Sequence, residues 1–204
     1  MNSILNNEKK LILILLIVLA NFVNYGNLYA VSNKNIRNEK WAVKMEVEGL
    51  DNLYKVSDNL YRSAQPTAVG MRNAEKLGIG TVISLRSKQK DKKLAYGTKL
   101  KLIHLSMRAW NPKMEDAIFL MKTLNPNNTA LAGKPVLIHC YHGADRTGWT
   151  IALYRITYEN WNKEDALEEM LDGGYGYHKL IWKDIVTFIK ELDEEAFRDL
   201  VLKK

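Results

Sequence analysis

The chain of 204 residues has one cysteine, four prolines and a single extended apolar run. One thiol cannot close a disulfide within the chain and cannot anchor a cysteine-built zinc site. So few prolines, with twelve glycines, exclude collagen-like and proline-rich disordered chains. No internal repeat or low-complexity segment is present, which excludes solenoids and fibrous arrays. Charge of one sign does not dominate either: 30 basic residues against 23 acidic ones give +7, and many of the basic residues are lysines scattered among polar positions. That pattern is a solvated basic surface, and nucleic acid is not an expected partner. What is present is ordinary globular material: 47% apolar and 26% charged residues, with five Trp and ten Tyr, enough for one domain and a tail.

The apolar run covers residues 11–20 and continues loosely through Phe22 and Val23, behind Lys9 and Lys10. It is shorter than the ~20 residues that span hydrocarbon. A positive head, a short apolar stretch and a small residue at the exit describe a secretory signal peptide over residues 1–30, with Ala30 as the cleavage candidate. An uncleaved anchor is the alternative. The expected product is exported, periplasmic or secreted, and has no stable membrane span after cleavage. No Cys lies near the cleavage region, so lipid attachment there is excluded. Residues 31–50 read as a polar, irregular arm whose Trp41 and Val43 pack on the body, and residues 51–204 as the functional domain.

Residues 53–56 and 60–62, split by Asp58-Asn59, read as a β-hairpin. Pro66-Thr67 opens a helix that runs to Leu77 and stops at Gly78. Residues 79–85 form a β-branched buried strand, 88–99 a Lys-rich helix and 102–105 a short strand. After a loop at 107–111, Pro112 sits in the first turn of a helix over 113–124, which Asn125-Pro126-Asn127-Asn128 breaks. The apolar run 136–138 leads to His139 and Cys140, and a helix begins near Thr147 and reaches about Trp161, with Trp149, Tyr154 and Trp161 in the core. A helix at 163–171, a turn packed by aromatics at Tyr175-Gly176-Tyr177 and one helical stretch over 179–202 complete the chain. Strands alternating with helices predict an α/β fold with a central sheet covered on both faces.

The chemistry concentrates in His139-Cys140-Tyr141-His142-Gly143-Ala144-Asp145-Arg146-Thr147-Gly148, an apolar strand that ends at a Cys, five residues, then Arg-Thr-Gly opening a helix. A strand-to-helix turn presents consecutive amides at a helix N-terminus, a nest for a dianion. Gly143 permits a backbone geometry that a Cβ would obstruct. Arg146 offers a planar fork for two phosphate oxygens. The thiolate is a cysteine's nucleophilic form, and such a positive nest favours it. Thr147 is placed to donate to the sulfur and ease its departure, and His139 to orient the loop. Given one Cys, chance placement of this Gly, Arg and Thr is on the order of one in a few thousand at average residue usage.

These residues resemble the signature loop of the Cys-dependent protein tyrosine and dual-specificity phosphatases. Leu60-Tyr61-Arg62-Ser63-Ala64-Gln65-Pro66 and Thr81-Val82-Ile83-Ser84-Leu85-Arg86 are similar to segments of compact bacterial and fungal members. The resemblance implies a compact phosphatase fold with a central, mostly parallel sheet of four or five strands. It also implies no metal, no cofactor and a phosphocysteine intermediate on Cys140. The substrate would be a phosphorylated protein or a small phosphomonoester.

The resembled family supplies its general acid from an Asp on a separate upstream loop. The matching region, residues 108–116, offers Asn111 where an acid would be welcome, and Asp116 inside a predicted helix. Asp145 is the leading candidate, because a group of secreted bacterial phosphatases is similar in carrying Lys-Asp-Arg at this point; here Ala144 replaces the Lys. Arg62, Ser63, Gln65 and Arg86 end strands near the expected pocket mouth, and His142 is a further contact candidate from the loop. His104 and His178 have no partner at metal-ligand spacing. Two other functions stay open: an inositol-polyphosphate or phosphoinositide phosphatase on the same fold, and a catalytically weak phosphoprotein-binding module.

Overall fold

A computed structural model of the protein describes residues 37–127 and 133–203, so the expected signal peptide lies outside the described residues. Residues 41–204 make one compact unit, and residues 1–40 another, of which a turn at 39–40 is described. Six strands form a single sheet: β1 (Val43–Lys44), β2 (Tyr54–Ser57), β3 (Leu60–Ser63), β4 (Thr81–Ser84), β5 (Lys101–His104) and β6 (Val136–His139). Their order is β1-β2-β3-β6-β4-β5. β1, β2 and β3 pair antiparallel, whereas β3, β6, β4 and β5 are parallel neighbours. The last strand in sequence is therefore inserted at the centre, and all four of its residues are buried. Apolar runs with no alternation are what a strand covered on both faces requires.

The helices are α1 (Ala68–Lys76), α2 (Asp91–Leu94), α3 (Met114–Leu124), α4 (Asp145–Tyr158), α5 (Lys163–Asp172), α6 (Lys183–Glu191) and α7 (Glu194–Leu202). Alternate strand residues feed two cores. Tyr61, Val82 and Leu137 pack with Met71 and Ala74 of α1, and Leu60, Ile83 and Ile138 face α3, α4 and the C-terminal helices. α4 crosses the larger core with twelve buried residues, among them Trp149 and Tyr154. It is covered around most of its circumference, so its buried polar residues, among them Asp145 and Arg155, need partners inside the fold.

The expected α/β sandwich of sheet and helices is present, with differences that have local causes. Residues 43–44, read as irregular, add an antiparallel edge strand against Lys55 and Tyr54. Residues 88–99 give only the four-residue α2, because Asp91 turns inward and is buried instead of joining a solvated Lys-rich face. Pro112 precedes the helix start instead of entering its first turn. Trp161 lies beyond the end of α4 and stacks its ring on the Arg155 guanidinium at 4.5 Å. The stretch 179–202 is two helices, since the Asp193 side chain accepts from the Ala196 N–H and caps α7.

Candidate active site

Ser63 of β3, His139 of β6 and Ser84 of β4 stand in register at the carboxyl ends of parallel strands. Such ends, where strand order reverses, are where open α/β sheets hold ligands. From there residues 140–144 form a loop that enters α4 at Asp145.

The loop is held from outside, one carbonyl at a time. His139 Nδ1 bonds the Cys140 carbonyl at 2.9 Å, and the Gln65 N–H donates to the Tyr141 carbonyl at 3.0 Å. Asn52 Nδ2 donates to the His142 carbonyl at 2.9 Å, and Arg62 Nη2 to the Gly143 carbonyl at 2.8 Å. Four consecutive carbonyls are thereby committed, while among the described residues the amides of residues 141–146 donate to no protein acceptor. The loop's uncommitted hydrogen-bonding groups are donors, the arrangement of an anion nest. Gly143, at φ +72°, is required twice over: a Cβ there would lie 2.4–2.5 Å from backbone atoms of Ser63 and Ala64.

Cys140 is 2% exposed at the base of this loop. Arg146, in the first turn of α4, donates from Nη1 to the Leu85 carbonyl at 3.2 Å, which steadies its guanidinium across the cleft. Behind the loop, His139 Nε2 meets the Asp91 carboxylate at 3.0 Å, fully buried. Burial alone would push the Asp91 carboxyl up, but hydrogen bonds from His139 and Gln65 and the charge of His139 outweigh it and hold it below the usual carboxylate range. Gln65 continues the chain, accepting from Arg86 Nη1 at 2.7 Å and donating to Asp91 at 2.9 Å.

A cleft of about 390 Å³ opens over the loop, lined among others by Arg86, Tyr141, Asp145, Arg146, His178 and Trp182. A wider recess beside Lys90, Lys92 and Lys93 is lined by no cysteine or hydroxyl side chain. The expected candidates separate accordingly. Cys140, Tyr141, His142, Gly143, Ala144, Asp145 and Arg146 lie on one continuous loop, and Arg86 reaches the cleft. Arg62 and Ser63 do not: both are fully buried. Arg62 lies against the Tyr175 ring at 3.6 Å and supports the loop through Gly143, so its role is underneath the site. The Thr147 hydroxyl is buried without a hydrogen-bond partner, and the expected bond to the Cys140 sulfur is not made.

Asp145 lines the cleft, 6% exposed, with its carboxylate engaged by His178: Oδ1 accepts from the His178 N–H at 2.9 Å, and His178 Nδ1 lies 2.9 Å from Oδ2. Asp116 sits in the first turn of α3 and does not line the cleft; partial burial pushes its carboxyl up. His178, without a metal-ligand neighbour by spacing, acquires two by folding, since ligating atoms of His142, Asp145 and His178 lie within 4.8 Å of one another. Sequence reasoning missed Asn52 and Asp91. Asn52 leaves one trace, an Asn at a left-handed position (φ +54°), and Asp91 another, a lone acid among lysines.

Strand, cysteine loop, arginine and buried helix together define the class of Cys-dependent phosphatases. Residues 50–195 match the tyrosine phosphatase family, and the chain belongs to it. It is 35% identical over 186 residues, 91% of this chain and 82% of the relative, to the dual specificity protein phosphatase TpbA of Pseudomonas aeruginosa. The crystal structure of P. aeruginosa TpbA matches with a TM-score of 0.73 at 30% identity, over 82% of this chain and 100% of that one. A cysteine-to-serine form of TpbA in complex with pTyr matches with the same score over 83% of this chain. The PP-IP phosphatase SIW14 from S. cerevisiae shares the fold, with a TM-score of 0.62 at 22% identity over 78% of this chain and 95% of that chain. The chain is thus an enzyme, a phosphatase of the tyrosine and dual-specificity type.

Proposed function

We propose that the protein hydrolyses phosphotyrosine-type monoesters on proteins through a phosphocysteine at Cys140. The observation that carries this reading is the loop with its carbonyls tied outward and its amides uncommitted around the cysteine. In the first step the Cys140 thiolate attacks phosphorus, forming the P–S bond as the P–O bond to the leaving group breaks. The loop amides and Arg146 hold the equatorial oxygens, where charge accumulates. The departing oxygen takes the proton held between His178 Nδ1 and Asp145, which makes Asp145 the general acid in concert with His178. In the second step water attacks phosphorus, its proton returns to that pair, the P–S bond breaks and phosphate leaves. His139, held by Asp91, fixes the Cys140 carbonyl, and Thr147, whose buried hydroxyl makes no bond in the resting loop, is the donor proposed for the departing sulfur.

Two features favour an aryl phosphate over an inositol polyphosphate. The cleft's permanent cations are Arg86 and Arg146, too few for several phosphates, and its walls include the apolar faces of Tyr141, Ile181 and Trp182. The relative TpbA, 30% identical, is known in complex with pTyr. We further propose that residues 1–30 are a signal peptide and that the domain works outside the cytoplasm, on the strength of the Lys9-Lys10 head and the apolar run behind it.

Turnover of an aryl phosphate with a pre-steady-state burst, abolished in Cys140→Ser, is the expected result; a protein that binds phosphotyrosine without burst or turnover would be a binding module instead. Asp145→Asn should slow alkyl phosphates, with poor leaving groups, more than aryl phosphates, by up to ~10²–10⁴-fold. Equal slowing of both would remove Asp145 from the acid role.

A further inference from the structure

We infer that His142, Asp145 and His178 form a binding site for one divalent transition-metal cation of the zinc class at the mouth of the cleft, and that its occupancy shuts the enzyme. The three ligating atoms lie within 4.8 Å of one another. Zinc holds imidazole nitrogen and carboxylate oxygen at about 2.0–2.2 Å, so neighbouring ligands of a tetrahedral site stand about 3.3 Å apart. His178 Nδ1 already lies 2.9 and 3.0 Å from the two oxygens of Asp145, and an opening of a few tenths of an ångström admits the ion between them. His142 is exposed and its ring already lies against that of His178, with centroids 5.2 Å apart, so a side-chain rotation covers the remaining distance.

The rest of the site is built in advance. Asp145 is 6% exposed, and the His178 N–H at 2.9 Å orients its carboxylate, the outer support that metal ligands ordinarily need. The Asn52 amide ties the two ligand-bearing segments together, donating to the His142 carbonyl at 2.9 Å and to the Tyr175 carbonyl, three residues before His178, at 3.0 Å. Two imidazoles and one carboxylate suit zinc, copper or nickel and disfavour calcium and magnesium, which take oxygen ligands. Three protein ligands also leave one coordination position open. Arg86 and Arg146 line the same cleft and oppose a cation; Asp145, the only acidic residue among those lining it, offsets them at the ligand position itself.

Binding exchanges one species for another. The proton shared by His178 Nδ1 and Asp145 leaves to solvent as metal–nitrogen and metal–oxygen bonds form. The ion then occupies the place of the proton that the leaving group needs. That loss of turnover rests on the mechanism proposed above, whereas metal binding does not.

The test therefore reads binding first, in full-chain Cys140→Ser, which removes the thiolate as a rival ligand. Titration with Zn²⁺ by calorimetry, and with Co²⁺ by visible absorption, should show one ion per chain in tetrahedral geometry. In that background His142→Gln, at an exposed position, and His178→Gln should each weaken Zn²⁺ at least ~10-fold, and Asn52→Ala ~10-fold or more through its outer-shell role. Thermal melts of the metal-free variants separate ligand loss from unfolding. In the protein with Cys140 intact, Zn²⁺ should inhibit, a chelator should restore turnover, and His142→Gln should shift inhibition to higher Zn²⁺. Absence of binding in Cys140→Ser overturns the inference, and so does Zn²⁺ inhibition left unmoved by His142→Gln, which would place the ion on the sulfur. Failure of the acid reading shows separately, in the leaving-group dependence of metal-free Asp145→Asn.

Discussion

Gly143 shows how much of the site one residue decides. Its left-handed φ would cost an alanine about 1–2 kcal/mol. The added methyl would also meet the Ser63 and Ala64 backbone, which belongs to the strand end and cannot retreat. Gly143→Ala should therefore displace the loop and lower kcat by about 10²-fold, with far smaller loss of melting temperature than of rate. Kinetics and a thermal melt on the same preparation check this. Gly143 was legible in the sequence because its spacing from Cys140 is set by the loop's own covalent geometry. Asn52 and Asp91 were not, because each acts across 48 or more residues of chain, Asn52 on His142 and Asp91 on His139. Arg62 was placed near the pocket mouth, and it lies beneath the loop instead: strand alternation tells which face a residue takes, not whether that face looks into the cleft or beneath it.

Between elements, a buried polar joint ties α4 to α5. Arg155 on α4 holds Glu169 on α5 with Nε and Nη2 at 2.8 and 3.0 Å, and Glu169 also accepts from the Ala42 N–H and the Tyr175 hydroxyl, each at 2.8 Å. Burial pushes the Glu169 carboxyl up, but the hydrogen bonds and charge of Arg155, followed by those of Ala42 and Tyr175, bring it below its ordinary 4.5. A carboxyl depressed in the folded state adds stability that is complete above pH 4.5 and is lost as pH falls through its folded value. Glu169→Gln should flatten that acid arm of the stability curve, and removal of the carboxylate, measured by urea unfolding at neutral pH, should cost about 3–5 kcal/mol. No periodicity announced this joint. Hydrophobic spacing located α4 and α5, because each packs by an apolar surface, while Glu169 reads in the sequence as one more acid in Leu167-Glu168-Glu169-Met170. The 179–202 stretch was misread for the converse reason: its apolar period survives the break, and only the cap at Asp193 marks where one helix stops.

At the scale of the molecule, the site is assembled by a sheet whose edge begins before the expected domain start. β1 and the Ala42 N–H that reaches Glu169 both precede residue 51. A protein beginning at residue 46 should accordingly melt below one beginning at residue 41, by the equivalent of about 1–3 kcal/mol, since a buried acceptor loses its donor. The cleft has a rim of its own. Trp110, on the loop before α3, stacks on Trp182, at the entrance to α6, with ring centroids 6.0 Å apart and planes inclined by 25°. Two indoles this close couple their electronic transitions, so the rim carries a built-in optical gauge. Opening or filling of the entrance should alter the near-ultraviolet circular dichroism, and Trp110→Phe should erase that response while leaving the fully buried Trp149 to report on the interior.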